Sequence, residues 1–205
     1  MSSSSKLGVW DGVALLSIAA SLIATWTVFD RLPGPLPTHF GLDGKPNGWM
    51  PRASGAWAIP AIAVVLWLFT RLLPLVVPKK DKQRLTMGSV SFVAMLTSVF
   101  ISAVHVVVLY VALVPQVDIT RIIFALMAIF FVALGLLMPR LRPNPIIGVR
   151  TPWTLTNEEN WARTQRVAGY SMVGGGLLGG LCALVGGTVG SLTAIVCFLA
   201  AGIIH

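Results

Sequence analysis

The chain holds three histidines and seven carboxylates, so little of it can do acid–base or metal chemistry. His39 and Asp43 stand four apart with Asp30 upstream, the beginnings of a metal-ligand set if they shared a helix face. They do not share one in this reading. Asp43-Gly44 and Asn47-Gly48 are turn dipeptides, and Pro37, Pro46 and Pro51 forbid a continuous helix, so Leu36 to Pro51 reads as a compact irregular loop. Zinc also wants more nitrogen or sulfur ligands than this. We therefore expect no metal and no cofactor, and a hydrogen bond from His39 that braces the loop. His105 lies inside a long apolar run, and an ionisable group at membrane depth is a functional candidate by default. Asp11 and Asp118 fall near the ends of apolar runs, so no acidic partner for a proton relay is visible, and an interhelical hydrogen bond is the role expected of His105. A transport role would show as proton uptake lost in His105→Ala. Cys182 and Cys197 sit in apolar segments without a CxxC spacing and read as packing residues. There is no HExxH, no GxSxG, no GxxxxGK[ST] and no pair of membrane aspartates, so the chain is not expected to be an enzyme.

The elements that must carry these residues are set by composition. Of 205 residues, 56% are hydrophobic and 11% charged, and the mean hydropathy is +0.84. A water-soluble surface does not sustain that balance. Runs near the ~20 residues needed to cross the hydrocarbon layer, without the short alternating segments of a barrel, make this an all-α polytopic membrane protein. The runs are Gly12–Phe29, Ala56–Val77, Met87–Val114, Ile119–Pro139, Ala168–Leu184 and Gly190–Ile204, which gives about six spans. The fifth and sixth are rich in glycine, with small-xxx-small spacings at Gly175/Gly179, Gly176/Gly180 and Gly186/Gly190. Such spacing lets helices in lipid approach closely, and packing within the chain is the expected use.

The net charge of +8 does not point to nucleic acid, because the basic residues lie beside the apolar runs rather than in one stripe. They report topology. Lys79, Lys80, Lys82 and Arg84, with Arg140, Arg142, Arg150, Arg163 and Arg166, share a side if every intervening run crosses, and that side is the cytoplasm. Both termini, with Lys6, are then cytoplasmic and the chain is multi-pass. Arg71 is expected to snorkel to that same edge. The polar loop 30–55, with Arg31, Lys45 and Arg52, falls outside, where Phe40 and Trp49 dip into the interface and His39 and Asp43 face water. We divide the chain into a two-helix module, 1–86, carrying that loop, and a four-helix module, 87–205, carrying a structured cytoplasmic segment, 139–167.

In that second segment Pro143, Pro145 and Pro152 favour extended chain, Gly148 permits a turn and Arg150 offers a planar fork for a carboxylate or phosphate. Glu158 or a lipid headgroup would serve as its partner. Thr156 with Glu159 fits a capping box for a helix leading into the fifth span, and Trp161 is expected at the membrane interface.

The stretch RPNPIIGVRTPWTLTNEENWARTQRVAGY resembles the signature segment of the SdpI family, bacterial membrane proteins associated with immunity to a sporulation-delay peptide toxin. The family pattern has an asparagine, a Gly-x-Arg-Thr-Pro-Trp-Thr core, an Asn/Ser-Glu pair, a tryptophan and a Thr-His pair. Asn144, Gly148, Arg150, Thr151, Pro152, Trp153, Thr154, Asn157, Glu158, Trp161 and Thr164 fit it, and Gln165 stands where the pattern has histidine. The outer loop resembles a second module of the same architecture, Pro-x-His-Phe followed by Gly-x-Pro and tryptophan, matched by Pro37, His39, Phe40, Gly44, Pro46 and Trp49. The resemblance implies a membrane immunity protein. Its outer loop, Asp43 included, would meet a secreted peptide toxin, and its signature segment would recruit a cytoplasmic helix-turn-helix repressor. The bilayer is its remaining partner, with no direct nucleic-acid binding. A small-molecule or ion transporter, or a metal-dependent membrane enzyme, is the alternative.

Overall fold

The computed structural model of the chain describes residues 7–77, 87–144 and 146–203. Lys6, the basic run Lys79, Lys80, Lys82 and Arg84, Pro145 and His205 lie outside the described residues, as does the expected module boundary after residue 86. The elements are α1 (Val9–Val28), β1 (Leu36–Phe40), β2 (Pro46–Met50), α2 (Arg52–Val76), α3 (Met87–Leu113), α4 (Ile119–Leu137), α5 (Pro152–Thr156), α6 (Glu158–Val185) and α7 (Gly187–Ile203). Single 3-10 turns extend α1 through Phe29–Arg31 and α4 through Met138–Arg140. Among the described residues five helices, α1, α2, α3, α4 and α6, are long and apolar enough to cross a membrane, and α7 is apolar but shorter. The protein is an all-α polytopic membrane protein with little strand. A 17-residue helix rises only about 26 Å, somewhat under the hydrocarbon thickness.

The helices pack in two groups. α3 lies against α1 and α2, whereas α6 lies between α4 and α7, and α3 meets α4 where the groups join. Packing thus sets α3 with the first two helices. α1 and α3 run in the same direction, since Asp11 meets Ser91 and Thr25 meets His105 at the same sequence offset of 80. Their buried positions, Asp11, Ala14, Ile18, Ser21 and Thr25 on α1 and Ser91, Ala94, Ser98 and His105 on α3, recur with heptad spacing, as in a left-handed helix pair.

The glycines of the second group are spent inside the chain. A Cβ on Gly175 would lie 2.3 Å from Ala201 Cβ, and one on Gly176 3.1 Å from the Ala128 carbonyl. Gly135 and Gly169 each leave room for the other's carbonyl oxygen, at 2.7 and 2.6 Å from the Cβ positions. Phe124, Phe131 and Phe198 fill the space that this close approach leaves. Cys182 and Cys197 are free thiols half-buried along α6 and α7.

Arg71 corrects the snorkelling expectation. Its Nη1 lies 3.3 Å from both carboxylate oxygens of Asp11, which is buried and also accepts from the Gly8 amide at 3.0 Å and the Ser91 hydroxyl at 3.5 Å. A buried carboxylate must be paired, and the nearest cation is the one that sequence spacing had directed to the lipid edge. The pair ties the start of α1, the end of α2 and the start of α3 together at one face of the bundle.

Candidate functional site

The loop between α1 and α2 is not irregular. Leu36–Phe40 and Pro46–Met50 form an antiparallel hairpin that pairs Leu36 with Met50, Pro37 with Trp49, His39 with Gly48 and Phe40 with Pro46, with a register irregularity on either side of His39. Asp43-Gly44 makes the turn, closed by Gly41 N–H to the Lys45 carbonyl at 2.8 Å and Lys45 N–H to Asp43 Oδ1 at 3.1 Å. Asn47-Gly48, the other expected turn dipeptide, lies instead in β2. Its asparagine accepts a hydrogen bond from His39 Nδ1 across the hairpin. Both imidazole and Asp43 carboxylate are therefore engaged within the hairpin itself. Among the described residues no group of three or more His, Cys, Asp or Glu comes together.

The hairpin is seated on the bundle by Leu36, which is fully buried with Leu32, Ala56, Leu109 and Ala112. Gly44 (φ +77°) brings its tip onto the start of α4, where a Cβ would stand 3.3 Å from Asp118 Oδ1. A left-handed backbone and that closeness both call for glycine. Asp118 caps α4, accepting from Thr120 N–H at 3.1 Å and the Thr120 hydroxyl at 2.5 Å, and pairs with Arg121 at 3.1 Å. The Thr120 hydroxyl holds its carboxyl below the usual aspartate range. Arg121 in turn lies under Gly186, in the α6–α7 connection. The hairpin, the α3–α4 turn and the α6–α7 turn thus share one face, opposite the Asp11–Arg71 pair.

Beneath the hairpin are two cavities. One, of about 260 Å³, is lined by Pro33, Pro35, Pro37, Phe40, Gly44, Pro46, Trp49 and Pro115, with Val111 and Ala112 of α3 as its floor. The other, of about 310 Å³, lies between Thr38, Phe40 and Leu42 of the hairpin side and Val104, Val108, Ile123 and Phe124 of α3 and α4. Phe40 is common to both. It was expected to dip into the lipid interface, but instead packs inward on Val108, Val111 and Ile119. Trp49 is 53% exposed at the mouth of the first cavity. Of the seven loop residues singled out in the sequence, Pro37, Phe40, Gly44, Pro46 and Trp49 converge on this cavity, while His39 and Asp43 hold the hairpin that forms it.

The signature segment is built on the opposite principle. Asn144 is buried and closes a turn with its own side chain, donating to the carbonyls of Arg142 and Ile147 and accepting from the amides of Ile146 and Ile147 at 2.7–3.0 Å. Thr151 and Thr154 cap each other at the start of α5: Thr151 N–H donates to Thr154 Oγ1 at 2.8 Å, and Thr154 N–H to Thr151 Oγ1 at 3.2 Å. Pro152 is the first residue of that short helix rather than part of an extended strand, as suits a residue without an N–H. The expected Thr156–Glu159 capping box is not the one used. Asn157 caps α6 by accepting from Asn160 N–H at 3.0 Å, and Thr156 bonds back to the Pro152 carbonyl at 2.9 Å. Asparagine in an extended conformation is the better cap, and Glu158 and Glu159 then fall in the first helical turn, where negative charge is favoured.

Trp161 is 1% exposed, not interfacial, and its indole N–H donates to the Leu141 carbonyl at 2.7 Å. Gln165 is fully buried: its Oε1 accepts from Val149 N–H and its Nε2 donates to the Val149 carbonyl, each at 3.0 Å. A primary amide offers donor and acceptor at one end, which fits the two groups of a single residue better than an imidazole whose nitrogens point apart. Gly148 (φ +108°) presses on this clamp, with a Cβ position 2.8 Å from Gln165 Oε1. Arg150, Trp153, Asn157 and Glu158 are exposed. The sequence marked Gln165 only as a departure from a pattern and missed the Asp11–Arg71 pair and Thr25 as the partner of His105. Heptad spacing of polar residues within apolar runs was the signal available for Asp11 and Thr25.

Together these features define a helical membrane protein with a cavity-bearing hairpin on one face and a rigid, self-bonded segment joining α4 to α6. Residues 140–205, the signature segment with α6 and α7, match the model of the SdpI/YfhL protein family. Residues 16–64, which hold α1, the hairpin and the start of α2, match a second model described as a domain of unknown function, DUF1648. The chain is similar to Immunity protein SdpI of Bacillus subtilis (strain 168), with 25% identity over 161 residues, 78% of this chain and 75% of that protein. No solved structure matches it.

Proposed function

We propose that this protein is a membrane immunity protein that binds and neutralises a secreted peptide toxin at its hairpin face, with no chemical turnover. The observation that carries this reading is the convergence of Pro37, Phe40, Gly44, Pro46 and Trp49 on one cavity of about 260 Å³. Proline and tryptophan present rigid apolar surface, so a peptide docking there orders little of the receptor on binding. The hairpin face is outward and the signature segment cytoplasmic, with both termini inside. Arg140 and Arg142 beside the end of α4, and Arg163 and Arg166 on α6, support that orientation. Trp153, 64% exposed, and Arg150 form the docking patch for a cytoplasmic helix-turn-helix repressor.

The test is membrane potential in sensitive cells challenged with a sporulation-delay-type peptide, with and without the protein and with Trp49→Ala at matched membrane levels. Wild type is expected to hold the potential and Trp49→Ala to lose it. No protection by wild type, with the protein confirmed in the membrane, ends the reading.

A further inference from the structure

One face of α6 is left uncovered by the rest of the chain. Arg163, Arg166, Tyr170, Gly174, Leu177 and Leu181 recur at spacings of three and four and so line one side of the helix, away from the side on which Gly176 and Gly179 meet α4 and α7. Both arginines are exposed, and Tyr170, Leu177 and Leu181 are each more than half exposed. Arg166 is the last charged residue of α6. Residues 167–185 beyond it rise about 28 Å, close to the thickness of the hydrocarbon layer. With α6 across the bilayer, the two arginines therefore stand at headgroup level, Tyr170 one turn inside and Gly174 two turns inside.

Gly174 is the exception among the glycines of α6. A Cβ on Gly169, Gly175, Gly176, Gly179 or Gly180 would stand within 3.1 Å of an atom of α4 or α7, whereas one on Gly174 would meet nothing within 4 Å. Glycine in a helix interior is unfavourable beside alanine unless something uses the space it leaves. Nothing in the chain uses this space, so the notch is open to what surrounds α6. The charge above it is also unspent. Arg163 and Arg166 make no ion pair among the described residues, and Glu159, one turn before Arg163 on the same face, is not bridged to it.

We propose that this face of α6 is a binding site for an anionic phospholipid. The phosphate sits on Arg163 and Arg166, whose planar guanidinium groups match its oxygens. The Tyr170 hydroxyl lies one turn below, at the level of the glycerol esters, and an acyl chain crosses the notch at Gly174 between Tyr170 and Leu177. Charge selects this occupant over a second copy of the chain. A twofold axis along the membrane normal would set the same patch of each copy against the other, bringing four arginines together with no carboxylate to offset them at that level, and like charges so juxtaposed are unfavourable. A lipid phosphate neutralises them instead. The site requires that α6 cross the bilayer and is independent of what the hairpin binds.

The experiment titrates the full chain in dodecyl maltoside with pyrene-labelled phosphatidylglycerol or phosphatidylcholine, binding being read as energy transfer from the protein's tryptophans. Wild type is expected to bind phosphatidylglycerol roughly 30-fold more tightly, the worth of two cations at a membrane surface. Arg163→Gln with Arg166→Gln, both at exposed positions, should bring phosphatidylglycerol down to the phosphatidylcholine value. Gly174→Leu, which enters open space and favours the helix, should weaken both lipids by roughly tenfold, about two buried methylenes, and leave their ratio unchanged. Glycerol phosphate, which has the charge without the chains, should not displace the lipid. Equal affinity of wild type for the two lipids overturns the proposal, as does Gly174→Leu binding like wild type or displacement by glycerol phosphate. Cross-linked dimers that disappear in Gly174→Leu would assign the notch to a second copy and overturn it equally.

Discussion

The hairpin and the signature segment are the two polar interruptions of an apolar chain, and they use their marked residues in opposite ways. In the segment, Asn144, Thr154, Trp161 and Gln165 are buried and bonded to backbone, so a run that reads as a binding motif is largely the framework of its own fold. In the hairpin, His39 and Trp49 stay exposed and a single buried residue, Leu36, seats the unit. A motif in sequence does not say which of these it is. Side chains that satisfy backbone groups and side chains that meet a partner are drawn from the same polar and aromatic types.

The contrast can be broken most directly at Trp161. Trp161→Ala removes a fully buried indole and leaves the Leu141 carbonyl without its donor. It should cost about 3–5 kcal/mol, read as a large fall in the thermal midpoint in detergent. An unchanged midpoint would remove the structural role given to the segment.

On the hairpin face the largest single expectation is smaller. Asp118→Ala deletes the α4 cap beneath Gly44 and should cost about 1 kcal/mol. Because the folded carboxyl titrates below its unfolded value, its ionised form favours the fold above the unfolded pKa. That contribution fades as pH falls through the folded pKa. The stability difference between wild type and Asp118→Ala should therefore be full near neutrality and shrink in strong acid, measured as paired melts across pH. A difference that grows on acidification would contradict the cap.

Arg150→Ala sharpens the comparison from the other side, since Arg150 is an exposed member of the buried segment. Its effect on stability should stay within about 0.5 kcal/mol, as for surface substitutions generally, while recruitment of a repressor in a membrane-fraction pull-down is lost. Unchanged recruitment would leave Arg150 outside the docking patch.

The membrane class, the spans of α1 to α4 and the two polar segments were legible in the sequence, because hydrocarbon admits only long apolar helices and expels what is polar. The glycines of α6 announced close packing, although which helices they would meet, α4 on one side and α7 on the other, was not written in their spacing.

Tertiary structure decided the pairings. Asp11 and Arg71 are 60 residues apart, and each alone looked like an edge residue. Only the antiparallel return of α2 brings the guanidinium to the carboxylate, where burial makes the pair obligatory. Thr25 and His105 meet for the same reason across α1 and α3. The irregular loop became a hairpin because Leu36 found a buried seat among Leu32, Ala56, Leu109 and Ala112, which two short strands alone could not supply. Gln165 became a clamp once α6 turned back beneath Val149. Apolar length and turn chemistry act locally and can be read along the chain. Partners for buried charge and unmet hydrogen bonds are chosen across it, by whichever groups the packed helices bring within reach.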